Sequence, residues 1–144
     1  MDYVVDASVV VKWFIPEEES DEAGRLKELL ARGEASLYSP RHTLVEVANA
    51  LTLHPLVKIS EDAIIDAVSA SEKMVNLTDL TQEEWRAAVK LAREIPTTVY
   101  DSAYLALSLK MDMKFITADS KLYARLPNNL KPHVALLKEL QALL

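Results

Sequence analysis

Cysteine is absent from the 144 residues, and there are only two glycines, Gly24 and Gly33. Without thiols there is no disulfide scaffold, no thiolate zinc or iron–sulfur site and no thiol nucleophile. So few glycines leave neither a dinucleotide-binding fingerprint nor a phosphate-cradling P-loop. No apolar run reaches the ~18–20 residues of a membrane span, so no membrane partner is expected. The amino terminus, Met1-Asp2-Tyr3, opens acidic and lacks the basic start of a signal peptide, which makes a cytoplasmic protein the expectation. Basic excess is missing too. Sixteen Lys and Arg stand against 22 Asp and Glu, for a net charge of −6. That balance speaks against general nucleic-acid affinity through a basic surface. The argument weakens where several acids share one metal site.

What is present is the pattern of a globular protein. Half of the residues are hydrophobic and 26% are charged, which excludes a disordered tail and fits one domain over residues 1–144. Short β-branched or aromatic runs alternate with amphipathic stretches. Tyr3–Val5, Ala35–Tyr38, Val75–Leu77 and Lys114–Thr117 read as strands, and His133–Leu137 as a final edge strand. Helices are expected over 8–14, ended by Pro16, over Glu17–Arg32, ended by Gly33, and over 42–53, ended by Pro55. Ser60 caps another, Thr81-Gln82-Glu83-Glu84 has capping-box spacing, and residues 100–111 form a further apolar helix. A short helix follows Asp119, and a closing helix ends the chain. Strands separated by helices imply an α/β fold, with a parallel sheet covered on both faces. In such sheets ligands sit beyond the carboxyl ends of the strands.

Four carboxylates stand out against that frame. Asp6 directly follows the first strand, and Asp119 follows the strand that ends at Thr117. Each has an ordinary alternative role as a helix N-cap. Glu46 is the only charge in Leu44–Leu53, and Asp101 the only one in Tyr100–Leu109. Their alternatives are a narrow solvent stripe and a partner for the helix dipole. Taken together, the four converge at one rim if the first and fourth strands are neighbours. Carboxylates held that close repel one another unless neutralised. A hard divalent cation does this, and oxygen-only ligands suit Mg2+ or Mn2+. Such an ion fits hydrolysis of a phosphodiester.

The segments Val4-Val5-Asp6-Ala7-Ser8-Val9, Leu44-Val45-Glu46-Val47-Ala48-Asn49-Ala50-Leu51, Tyr100-Asp101-Ser102-Ala103-Tyr104-Leu105-Ala106-Leu107 and Phe115-Ile116-Thr117-Ala118-Asp119 resemble those of the PIN-domain ribonucleases. Within that family the chain is similar to the VapC toxins of prokaryotic toxin–antitoxin pairs. The resemblance spans nearly the whole chain. It implies a three-layer α/β/α sandwich with a central parallel sheet of four to five strands. It also implies a Mg2+- or Mn2+-dependent endoribonuclease that hydrolyses RNA by a metal-activated water. By motif position the acidic quartet is Asp6, Glu46, Asp101 and Asp119, with Asp6 and Asp101 the main ligands. Ser8 and Thr117 occupy the positions of supporting hydroxyls. The resemblance further implies a homodimer and a VapB-like antitoxin whose carboxyl-terminal arm lies across the groove. Pro132–Leu137 is the least well matched segment.

Lys12, Arg41, Lys121 and Arg125 lie near these motifs and are candidates to hold RNA phosphates, the alternative being plain surface charge. His42 and Glu46 have the i,i+4 spacing of helical zinc ligands, but no third nitrogen or sulfur ligand accompanies them. The three histidines therefore read as structural or surface residues. Trp13, Phe14 and Tyr38 read as packing rather than base-stacking residues, and Trp85 as core or dimer interface. The rival readings are a PIN-fold nuclease of RNA processing outside toxin–antitoxin pairs, and a non-catalytic protein-interaction domain.

Overall fold

Strict alternation along the strands builds the sheet. In β1 (Asp2–Val5), Tyr3 and Val5 join one apolar cluster and Val4 joins another on the opposite face. Phe115 and Ile116 of β4 (Lys114–Thr117) divide between the same two clusters. A strand buried on both sides belongs in the middle of a parallel sheet. A computed structural model describing residues 1–144 bears this out. With β2 (Ser36–Pro40), β3 (Asn76–Thr78) and β5 (Val134–Leu136), the strands form one parallel sheet in the order β3-β2-β1-β4-β5. The first and fourth strands are neighbours, as the clustering of acids requires, with Val5 opposite Ile116. The poorly matched carboxyl-terminal segment does supply a fifth strand, with Thr117 opposite Leu136.

Helices cover both faces, which gives the three-layer α/β/α sandwich expected. On one face lie α1 (Ala7–Val10), α2 (Ser20–Ala31), α3 (Thr43–Thr52), α4 (Glu61–Met74) and α8 (Leu140–Leu143). They send Val9, Val10, Leu26, Val47, Leu51, Ala67 and Leu140 onto the sheet. On the other face α6 (Val99–Met111) and α7 (Ser120–Arg125) pack Tyr104, Leu105, Leu107 and Leu122 against Val4, Phe115 and Val134. Helix α5 (Gln82–Glu94) lies outside α6, and Ala88, Ala103 and Ala106 let the two backbones approach closely. No helix is long and apolar enough to cross a membrane.

Several boundaries differ from the sequence reading, among them the ends of β2 and β5. The helix expected over Glu17–Arg32 begins at Ser20. Glu17 and Glu18 instead form the turn before it, Glu19 sits at a left-handed φ of 68°, and the Ser20 hydroxyl accepts from the Glu17 N–H at 2.9 Å. Three successive carboxylates repel less in an open turn anchored by Lys12 than stacked in a helix. The helix expected over 8–14 is one α-turn, α1, followed by a 3-10 turn over Val11–Trp13. Its run of three valines is poorly suited to a long α-helix. The third strand starts one residue later than expected, at Asn76.

Candidate active site

The adjacent carboxyl ends of β1 and β4 place Asp6 and Asp119 side by side in the fold, and each caps a helix. Asp6 accepts from the Ser8 N–H at 3.1 Å and Asp119 from the Leu122 N–H at 3.0 Å. The capping alternatives raised by the sequence are therefore real, but they do not exclude a further role. Asp6, Glu46, Asp101 and Asp119 all line one cavity of about 340 Å³, together with Ser8, Asn49 and Tyr104. The sequence reading brought these four acids together, and so does the fold.

Hydroxyls organise the floor of that cavity. Ser8 Oγ donates to Asp6 Oδ1, and Thr117 Oγ1 donates to Asp6 Oδ2 at 2.6 Å. Ser8 Oγ in turn accepts from the Ala118 N–H at 2.9 Å, and Thr117 Oγ1 from the Asp119 N–H at 3.1 Å. The two hydroxyls thus tie the end of β1 to the end of β4. Between them they hold both oxygens of the Asp6 carboxylate.

The remaining acids are held differently. Asp101 lies in the first turn of α6, where Thr98 Oγ1 caps its N–H at 3.2 Å and Thr97 donates to its Oδ2 at 3.3 Å. Glu46 Oε1 accepts from the Tyr104 hydroxyl, and the His42 ring lies 3.5 Å away. Asp101, Glu46 and Asp119 each commit one oxygen to the chain. Their other oxygens have no hydrogen bond from it.

The electrostatics follow from this packing. Asp6 is only 6% exposed. Burial pushes its carboxyl up to about 7; the Ser8 and Thr117 hydroxyls pull against that, and the charges of Glu46 and Asp101 add to it. A cation in the cavity would relieve both burial and repulsion. The donor set is entirely oxygen and strongly anionic, which fits a hard divalent ion by chemistry. As the side chains stand, no three acids or histidines are close enough together to share one ion.

The cationic candidates divide. Lys12 is nearly buried and engaged, donating to Glu17 Oε1 at 3.1 Å and to the Glu18 carbonyl at 2.7 Å. It anchors a turn and is not a free phosphate contact. Arg41 is exposed and pairs with Asp79 at 2.9 Å. Lys121 and Arg125 are exposed on α7, beyond Asp119. Trp13 packs as expected, its indole N–H donating to the Ala23 carbonyl at 2.8 Å. His54 bonds Glu17 at 3.2 Å and accepts from the Val57 N–H at 3.1 Å, so it is structural. Trp85, by contrast, is half exposed and so is not a core residue.

Tyr104 and Thr43 are residues of the site that the sequence reading passed over. Both lie in apolar runs and look like core. The available signal was helical spacing: Tyr104 is three residues after Asp101, and Thr43 three before Glu46.

Comparison with known proteins gives the family and the fold. Residues 3–127 match the profile of the PIN domain. The chain is 31% identical to ribonuclease VapC3 of Pyrobaculum aerophilum, over 92% of this chain and all of that protein. Among solved structures it is similar to PAE2754 from Pyrobaculum aerophilum, with a TM-score of 0.69, 18% identity, and 99% and 96% of the two chains covered. It is also similar to VapBC2 from Rickettsia felis, solved bound to a DNA fragment from their promoter, with a TM-score of 0.67 and 13% identity. That match covers 94% of this chain and 97% of the other.

Proposed function

The chain belongs to the PIN-domain family, among its VapC-like members, and from that premise we propose that it is a metal-dependent endoribonuclease and the toxin of a toxin–antitoxin pair. The observation that carries the reading is the meeting of Asp6, Glu46, Asp101 and Asp119 in one cavity at the carboxyl end of the sheet. Asp6, Asp101, Asp119 and Glu46 are the residues to hold Mg2+ or Mn2+. Bound there, the ion supplies Lewis acidity toward the phosphodiester and toward the attacking water.

The chain's own residues do the rest. Ser8 and Thr117 fix both oxygens of Asp6 and so set the direction in which this carboxylate presents its remaining lone pairs. The uncommitted oxygens of Glu46, Asp101 and Asp119 are the acceptors left for ion or water. Lys121, Arg125 and, when released from Asp79, Arg41 hold RNA phosphates at the rim; contacts to the sugar–phosphate chain position RNA without reading its sequence. We assign the antitoxin as a VapB-like protein, in line with the paired VapBC2 of Rickettsia felis. A homodimer completes the assembly.

Cleavage of a mixed RNA panel, with Mg2+, Mn2+ or chelator, tests the reading. Wild type is compared with Asp6→Asn and Asp101→Asn, each shown to be folded by circular dichroism. The expected outcome is cleavage that needs the metal and falls at least 100-fold in both variants. Cleavage that survives in the folded variants would remove the assignment of these acids. A chain that binds Mn2+ in calorimetry but cleaves nothing, with antitoxin stripped away, would point to the non-catalytic interaction domain.

A further inference from the structure

Resting on the metal-site reading above, we propose that Tyr104 is a positioning residue, whose hydroxyl, itself fixed by Thr43, holds Glu46 in place for the ion. The side chain has two separate roles. Its ring is core: only 1% of Tyr104 is exposed, and the ring stacks on Phe115 with centroids 5.7 Å apart and planes 9° from parallel. A phenylalanine would fill that space. The hydroxyl is the part that packing does not explain, because a buried hydroxyl without partners costs free energy.

Its partners form a directed chain. Thr43 Oγ1 donates to the Tyr104 oxygen at 2.8 Å, and the Tyr104 O–H donates to Glu46 Oε1. Accepting from one hydroxyl while donating to a carboxylate strengthens both bonds. Thr43 and Glu46 stand on α3, and Tyr104 on α6, one turn after Asp101. The phenol therefore fixes one acid of the site to the helix that bears another. It commits Oε1 and leaves Oε2 unbonded, so Glu46 presents a single defined acceptor. His42, whose ring nitrogen lies 3.1 Å from the Tyr100 carbonyl, packs edge-on against the Tyr104 ring.

The test is Mn2+ binding by calorimetry, with RNA cleavage measured in parallel, on Tyr104→Phe, Glu46→Ala and the double variant. Tyr104→Phe keeps the stacked ring, and near-ultraviolet circular dichroism checks that it does. Mn2+ affinity is expected to fall about 10-fold, with kcat reduced and KM for RNA unchanged, as for the loss of a partner that orients a ligand. In the Glu46→Ala background the same change is expected to cost nothing further. Thr43→Val should weaken Mn2+ two- to three-fold, and Thr43→Ser should restore it; this pair keeps the inference testable if the phenylalanine variant does not fold. An unchanged Mn2+ affinity in Tyr104→Phe, or an equal loss in both backgrounds, would make the tyrosine merely structural. Wild-type protein that bound no Mn2+ would refute the metal site itself and this role with it, an outcome distinct from the former two.

Discussion

Asp6 is caught between burial and function. The folded chain encloses its carboxyl, and the neighbouring acids oppose its ionisation, so it holds its proton up to about pH 7 against an ordinary value of 3.8. A group whose folded value is raised stabilises the fold fully below the unfolded value and loses that contribution as pH rises through the folded one. The loss attached to Asp6 therefore falls between about pH 4 and pH 7. At ~1.4 kcal/mol per unit it amounts to roughly 4 kcal/mol. In chelator, the difference in unfolding free energy between Asp6→Asn and wild type should grow over that interval in favour of the variant, as read by urea titrations at several pH values. A constant difference would mean that Asp6 ionises freely in the fold. At this scale the quartet was legible, because acids at strand ends and lone acids in apolar helices are visible in a sequence. Tyr104 was not, because its spacing from Asp101 marks a helix face but not the partner on another helix, Glu46, to which its hydroxyl donates. Lys12 was misleading for a related reason: its proximity to Asp6 along the chain hid a partner, Glu17, beyond a proline.

Helix beginnings do most of the positioning. Helix α1 is capped by Asp6, α7 by Asp119 and α6 by Thr98, and Glu46 lies in the first turn of α3, so all four acids sit within one turn of a helix start. At those ends the unpaired backbone N–H groups and the helix dipole favour negative charge. Thr98 is the one cap among these that is not itself a proposed ligand, which makes it a clean probe. Thr98→Ala should cost about 1 kcal/mol of stability in urea unfolding. It should also lower metal-dependent cleavage, because the Asp101 N–H loses its acceptor and the first turn of α6 frays. Thr98→Ser should restore both quantities; failure of serine to restore them would assign the effect to the lost methyl group. The alternation of strands and helices was readable at this scale, since periodicity of 2 and of 3.6 residues is local. The start of α2 was not. Acidic residues at Glu17–Glu19 look like a favourable first turn, and only the contacts of Lys12, Ser20 and His54 hold them in an open turn instead.

At the scale of the whole molecule, the net charge of −6 no longer opposes a nucleic-acid substrate, since four of the acids meet in one cavity suited to a cation. Strand order was readable only through chemistry: nothing local pairs β1 with β4, but four acids needed a common rim. The surface that the sequence could not place is the outer face of α5. Trp85 and Val89 are exposed there, and Trp85 lines an apolar recess of about 300 Å³ with His42 and with Val99, Tyr100 and Ala103 of α6. Arg86, Lys90, Arg93 and Glu94 surround the adjoining groove. A large exposed apolar residue at the edge of a groove suits a two-fold interface, where one patch meets itself. If the proposed homodimer uses this face, Trp85→Glu removes its largest exposed apolar side chain and puts a charge in its place, and should yield monomer in sedimentation velocity at concentrations where wild type is dimeric. The fold should survive, because the indole is half exposed and Ala88, Ala103 and Ala106 join α5 to α6 without it. A dimer that persists in Trp85→Glu would move the interface elsewhere. The recess would then be open to solvent at His42, whose ring lies 3.5 Å from Glu46.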